Sequence, residues 1–256
     1  MRTKAEANRF YGALTACVLG GVFLLSAAVW FFRPADLDPD TLCPTSRPIA
    51  GHTVVIVDRT DRWTSGMSAA LRQLIESAQR NTQQYQKFSI VALDAENSTH
   101  PLFSVCNPGA PTFWSDLYHG HRYTVHDFDQ RFVGAADRVV EEVSQPSEAP
   151  ESPIVEYVHR WLGSDDFNAS IAQRHLILIS DMRQNSPLYS LYRQPSGEGL
   201  TQVAQQQIGQ AARGANLDVY FLAHGRDHNV SEEQVRSAWD RALAALGMRY
   251  AWRQID

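Results

Sequence analysis

Positive charge is the first thing this sequence has little of: 23 Lys and Arg stand against 28 Asp and Glu, a formal net charge of −5. Without a basic face the chain is a poor partner for DNA or RNA. It has no G-x-S-x-G elbow and no glycine loop able to cradle phosphate, which removes familiar signatures of acyl- and phosphoryl-transfer enzymes. It carries no internal repeat. Cysteine is scarce, with three in 256 residues. What is present is ordinary for a globular chain, 44% hydrophobic and 20% charged, and long enough to bury a full core.

One long stretch lacks charge altogether. Phe10 to Phe32, FYGALTACVLGGVFLLSAAVWFF, is long enough to cross a hydrocarbon layer of roughly 30 Å as a helix. Arg2, Lys4 and Arg9 precede it, while Asp36, Asp38 and Asp40 follow Arg33. That bias predicts residues 1–9 in the cytoplasm and an exported C-terminal body. A cleaved signal peptide is the competing reading, since Ser26-Ala27-Ala28 offers small residues at cleavage spacing. The length of the run, and Trp30, Phe31 and Phe32 where an interfacial aromatic belt would sit, favour an uncleaved anchor over residues 10–32. Cys17 falls inside it. Cys43 and Cys106 are then the two cysteines of the exported part, and an oxidising compartment lets them pair. The alternative is two unpaired thiols.

Residues 33–52 hold four prolines and no periodicity, and read as an extended tether. From residue 53 to 256 strand and helix signals alternate. Apolar strands are expected at Val54 to Asp58, Phe88 to Asp94, His175 to Asp181, Leu217 to Ala223 and Arg249 to Gln254, with a short strand at Leu102 to Cys106 that a tight turn makes antiparallel. Helices are expected at Ser65 to Arg80, Thr124 to Ser144, Pro153 to Leu162, Leu200 to Arg213 and, behind a Ser231/Gln234 capping box, up to Leu246. Alternation of this kind indicates a mostly parallel sheet covered on both faces, with its sites beyond the carboxyl ends of the strands. Asp58, Ser180 and Asp181 all fall at that edge.

The order of strand, D-x-T, helix, strand, hairpin strand, two helices, strand ending in S-D and two further helix–strand units resembles the von Willebrand factor A domain over about residues 53–255. The resemblance implies a three-layer, doubly wound, mostly parallel α/β sheet with one antiparallel edge strand. It also implies a metal-ion-dependent adhesion site, usually for magnesium, whose open position takes an acidic residue of a protein partner. Asp58 matches the first aspartate of the family's D-x-S-x-S and Thr60 its first hydroxyl. Ser152, in SPIVEYV, stands where the family's separate hydroxyl lies, and Asp181, in LILISDMRQNS, matches the last aspartate. These four residues are the implied ligands of Mg2+ or another divalent cation.

Arg62 departs from the pattern, occupying the place of the second serine. An inward guanidinium about 4 Å from the ion would cost on the order of 4 kcal/mol at an effective dielectric of 20. Arg62 therefore either pairs with Asp58 or Asp181 as a built-in cation, or points to solvent while Thr64 or Ser65 supplies the missing oxygen.

Other constellations invite different chemistry. A haloacid-dehalogenase-type phosphatase would also put a nucleophilic Asp at the end of the first strand, but it needs a carboxylate two residues on, where Thr60 stands. YHGHRYTVHDFD places His119, His121 and His126 beside Asp127 and Asp129, a possible open zinc site or a solvated loop. It follows the antiparallel strand and so begins at the opposite edge of the sheet from Asp58. By the same topology Cys43 and Cys106 meet at the tether edge, and their bridge would contribute roughly 3 to 4 kcal/mol. The loop MRQNSPLYSLYRQPSGEG sets Tyr189, Leu191 and Tyr192 between Arg183 and Arg193 next to Asp181, residue types enriched at binding hot spots. It either binds a partner or folds back over the sheet edge.

The sequence thus predicts no enzyme but a membrane-tethered, exported interaction module in a bacterial inner membrane, N-terminus cytoplasmic and domain periplasmic. It would bind a protein of an envelope complex through Asp58, Thr60, Ser152 and Asp181, with Arg62, Arg183, Tyr189 and Tyr192 at the contact. The rivals are a structural subunit assembled through its membrane helix and a hydrolase using Asp58.

Overall fold

The computed structural model describes residues 4–59, 65–93, 100–143, 151–222 and 229–255. Thr60, Arg62 and Thr64 lie outside the described residues, as does most of the turn between the second and third strands. The N-terminal helix α1 (Lys4–Phe31) takes in the uncharged run up to Phe31, and Tyr11–Phe31 has mean hydropathy 2.1 with none of its residues buried. It is one helix long and apolar enough to cross a membrane.

The rest is an α/β sandwich built on β1 (Gly51–Asp58). This strand has almost no exposed surface, because its alternating Val and Ile side chains are covered on both sides. Helix α2 (Ser65–Asn81) leads to β2 (Lys87–Leu93), parallel to β1, and β3 (Phe103–Cys106) returns antiparallel along it. The chain then passes through α3 (Phe113–His119), α4 (His121–Val125), a π-helical stretch (His126–Val133) and α5 (Gly134–Val143). Helix α6 (Ile154–Leu162) precedes β4 (Gln173–Ser180), and α7 (Glu198–Gln207), β5 (Ala215–Phe221), α8 (Glu232–Ala245) and β6 (Arg249–Gln254) complete it. The strand order is β3-β2-β1-β4-β5-β6, with only β3 antiparallel. This is the fold class the sequence predicts.

The two faces carry separate cores. Val54, Ile56, Leu176 and Leu178 pack under α6, α7 and α8, while Val55, Val57, Ile177 and Ile179 pack under α2 and α5. Helix connections leave β1 towards β2 and β4 towards β5, in opposite directions, so the crevice of a doubly wound sheet opens between the carboxyl ends of β1 and β4. Those ends are Asp58 and Ser180.

Two expectations change. Residues 33–52 are not an extended tether throughout: Leu37 and Pro44 form a bridge, Leu42 is buried, and Cys106 N–H donates to the Thr41 carbonyl. Cys43 and Cys106 are joined (Cα–Cα 4.8 Å), which pins this segment to β3. The helix expected over Thr124 to Ser144 is present as one continuous run from His121 to Val143, but its middle, His126–Val133, is π-helical, and α3 precedes it. In the π-helical region the buried Gln79 amide donates to the Phe132 carbonyl, and Arg131 reaches the Pro39 and Asp40 carbonyls at 2.6 and 2.9 Å. Arg131, in the π-helical stretch, thus holds the segment that follows α1.

At the same edge His52 is buried between the rings of Trp161 and Phe167. Its Nδ1 lies 2.8 Å from the Asp166 carbonyl, which can only accept, so the proton sits on Nδ1 and Nε2 accepts from Ser89 Oγ. Burial holds its pKa down to about 4.

Candidate functional site at the carboxyl edge of the sheet

Asp58 has no exposed surface. Its Oδ2 accepts from Ser152 Oγ at 3.0 Å and from Ser180 Oγ at 2.8 Å. The structure therefore brings two expected residues, Asp58 and Ser152, onto one carboxylate oxygen across 94 positions of chain. Ser180 is the third member. It is the residue before the aspartate in S-D, and its register beside β1 makes it the natural hydroxyl for Asp58.

Ser152 is placed by backbone pairing. Its N–H donates to the Asn185 carbonyl at 2.8 Å and its carbonyl accepts from Asn185 N–H at 2.9 Å, so the start of α6 is laced to the loop after β4. Gln184, with no exposed surface, tightens the same seam. Its Oε1 accepts from Val155 N–H, an orphan donor of the first turn of α6, and its Nε2 donates to Glu156 and to Ser186 Oγ. Sequence reasoning did not single out Gln184, and only its place three residues after Asp181 marks it.

Asp181 does not turn its carboxylate to a vacant cation position. Arg183 N–H donates to Oδ1 at 2.9 Å, and Arg183 Nη1 sits 2.6 Å from Oδ2, with both side chains only 6% exposed. Between them Met182 adopts φ +59°, a left-handed conformation costing a non-glycine residue about 1 to 2 kcal/mol. It is held by Ser180 Oγ, which accepts from Met182 N–H, and by Trp239 Nε1, which donates to the Met182 carbonyl at 2.7 Å. The reversal at Met182 folds Arg183 back onto Asp181.

Two residues expected at a partner contact are thus inside the protein. Arg183 is spent on Asp181, because a guanidinium two residues along this tight reversal reaches the carboxylate before it reaches solvent. Tyr189 is 4% exposed, its hydroxyl donates to the Gln194 carbonyl, and burial raises its pKa. Gly199 explains the fit, since a Cβ there would lie 2.6 Å from the Tyr189 ring. Tyr192 stays at the surface (40% exposed) together with Leu188 (51%). Beside Tyr192, the Arg193 guanidinium donates to the Ser186 carbonyl, and a shallow hollow of about 620 Å³ opens against Glu151 and Pro187.

The residues described do not fit the divalent-ion set that the family resemblance implies. A cation at Asp181 would have to displace a guanidinium already neutralising that carboxylate in a water-poor setting. Ser152 and Ser180 both direct their hydroxyls at Asp58. The histidine group is not assembled for metal either: among the described residues no three His, Cys, Asp or Glu cluster as ligands, and His126 Nδ1 faces Asp127 at 3.5 Å. A larger cleft of about 750 Å³ lies over the β4–β6 half of the sheet. Within it Asp218 takes His175 at 3.1 Å and Arg253 at 3.4 Å, while Arg174 donates to backbone carbonyls.

No protein-family model matches the chain, and no curated protein matches it. Solved structures do. The PilB minor pilin from Streptococcus sanguinis is similar at 11% identity and TM-score 0.45 over 82% of this chain. The open pilus adhesin SpaC from Lactobacillus rhamnosus GG gives 10% and 0.46 over 88%. An aerotolerance-related membrane protein from Bacteroides fragilis NCTC 9343, with multiple mutations to serines, gives 7% and 0.36 over 79% of this chain and 90% of its own length. This chain spans 58% of the pilin and 29% of the adhesin. At such identities the side chains of this protein must speak for themselves.

Proposed function

We propose that this protein is a membrane-tethered, exported interaction module that presents the outer face of the loop after β4 to a protein partner in a bacterial envelope complex. The observation that carries the reading is the division of labour within that loop. Gln184, Ser186, Tyr189 and Leu191 are buried and bonded beneath it, while Leu188 and Tyr192 stand outside. A loop fixed from below loses little conformational freedom when a partner covers its outer side, so exposed apolar and aromatic groups there are suited to binding. The cationic residues before the uncharged run, the acidic residues after it and the disulfide support a cytoplasmic N-terminus and a periplasmic domain.

No metal step enters this reading: Arg183 supplies the positive charge at Asp181. A phosphoryl-transfer role for Asp58 is disfavoured because its carboxylate is fully buried and one oxygen already accepts two serine hydroxyls. The test is site-specific photocrosslinking in native membranes from Leu188 and Tyr192, with Arg249 on β6 as control. A discrete adduct from each of the first two is the expected result, the Leu188 adduct being lost when Tyr192→Ala is added with the fold intact. A Leu188 adduct that survives Tyr192→Ala and a Tyr192 adduct that survives Leu188→Ser, both vanishing when the α1 sequence is scrambled, would instead make the protein a structural subunit assembled through its membrane helix.

A further inference from the structure

The exposed large apolar residues are not scattered. Outside α1 and Phe32, those among the described residues are Phe113, Leu117, Tyr123, Val133, Leu188 and Tyr192, and the most exposed three are Phe113 (73%), Tyr123 (71%) and Leu117 (60%). All three sit in or just after α3, at the edge where the chain leaves α1. A short helix with no buried residue has no packing reason to exist in the domain. Its fold is secured locally instead, by a capping box in which Thr112 and Ser115 exchange hydrogen bonds.

The sequence FWSDLYH is amphipathic on a helix. Phe113 and Leu117, and Trp114 and Tyr118, are pairs four residues apart that share one side, and Ser115, Asp116 and His119 take the other. Asp116 is turned to the protein, accepting from Thr124 Oγ1 at 2.5 Å. The aromatic side meets the end of the apolar helix: Tyr118 donates its hydroxyl to the Val29 carbonyl at 2.7 Å, and Trp114 stacks on Phe32 with ring centres 5.4 Å apart. Trp30 and Phe31, 80% and 77% exposed, continue the same surface.

We infer that α3 and Tyr123 form a second membrane contact, lying in the plane of the outer lipid interface beside the exit of α1. The proposal rests on α1 spanning the bilayer. Its occupant is lipid, because the patch is continuous with the lipid-facing surface of α1 and is built from residues that settle at the boundary between headgroups and acyl chains. The contact would set the domain upright. The Cys43–Cys106 bridge and the Arg131 bonds to Pro39 and Asp40 lock the intervening segment, so α1 and α3 together give the domain two points of attachment.

Spin labels test this on the full chain in nanodiscs of phosphatidylethanolamine and phosphatidylglycerol, in a Cys17→Ser background that leaves the disulfide intact. Labels go at Leu24→Cys in α1, Leu117→Cys in α3 and Leu188→Cys at the far edge. Relaxation by oxygen and by a water-soluble nickel chelate reads depth at each. The expected result is a Leu24 label inside the hydrocarbon, a Leu188 label in water, and a Leu117 label several-fold less accessible to nickel than Leu188. With Phe113→Glu added, the Leu117 label should move towards the Leu188 value while Leu24 is unchanged. A Leu117 label as nickel-accessible as Leu188, with Leu24 protected, overturns the inference and leaves the span standing. A water-exposed Leu24 label overturns the span, and the inference with it.

Discussion

Replacing Arg183 by Met leaves Asp181 buried without its cation. The Nη1 to Oδ2 separation of 2.6 Å corresponds to an attraction of about 6 kcal/mol at an effective dielectric of 20. Removing the guanidinium also removes its own desolvation cost, so the net loss should be about 3 to 5 kcal/mol, as for other buried pairs broken on one side. For a domain of this size that is a fall in Tm on the order of 10 °C. Adding Asp181→Asn removes the stranded charge, and the double variant should recover most of the loss, with the coupling read from the cycle of single and double changes. The assay is thermal and urea unfolding of the purified full chain in detergent, with and without Mg2+ and with EDTA. Wild-type midpoints should be the same in all three conditions. A wild-type midpoint that rises with Mg2+ and falls with EDTA would show that a metal, not Arg183, neutralises this edge. An Arg183→Met variant as stable as the wild type would remove the ion pair from the account.

Three further outcomes are expected. Cys43→Ser should lower stability by about 4 kcal/mol, because the bridge closes a separation of 63 residues, and thiol trapping of the wild type should find only Cys17 free; two further reactive thiols in the native protein would refute the bridge. Ser180→Ala should cost about 1 to 3 kcal/mol, since Asp58 loses the Ser180 hydroxyl as a donor and Met182 N–H loses its acceptor; an unchanged urea midpoint would mean those bonds hold nothing. His52 should make the domain acid-sensitive. Its folded pKa of about 4 lies below its unfolded value of 6.5, so between those limits the unfolded chain binds the extra proton and stability falls as pH falls. The loss should approach about 3 kcal/mol near pH 4 and level off below it; a His52→Gln variant with the same pH slope as the wild type would contradict this.

How much of this was readable in advance depended on whether a residue's partner was close in sequence. The continuous apolar runs of β1 and β4 announce buried parallel strands, and the Ser231/Gln234 box marks the start of α8 where the structure has it. Asp58 and Ser152 were readable as one site only through the family resemblance, because nothing local connects residues 94 positions apart. Helix α3 escaped because its apolar side does not face the core, so no core-facing period extends beyond its two turns; the Thr112/Ser115 box was the signal to be found. The loop after β4 misled in a specific way. Tyr189 and Tyr192 look equivalent in SPLYSLYRQ, but the first goes in, against Gly199 and onto the Gln194 carbonyl, and the second stays out. Arg183 was placed at the surface because the reversal at Met182 is made by a residue with no turn propensity, held by the distant Trp239.

That reversal also bears on how the module would bind. A loop of this length, free in solution, would lose conformational freedom on docking at a cost of roughly 0.5 to 1.5 kcal/mol for each rotamer-rich side chain immobilised. Here the cost is met on folding: Asp181 is fixed by Arg183, Gln184 ties the loop to α6, and Ser186 accepts from the N–H groups of Leu188 and Tyr189. Leu188 and Tyr192 are therefore presented by backbone that is already ordered. A second attachment at the lipid surface would extend the same logic to the whole domain, since a partner anchored in the same membrane then meets the loop at one height and one orientation. Loosening either end should weaken capture without touching a contact residue. Gly199→Ala, which would push Tyr189 out of its seat, is the change that separates order beneath the loop from the chemistry on top of it.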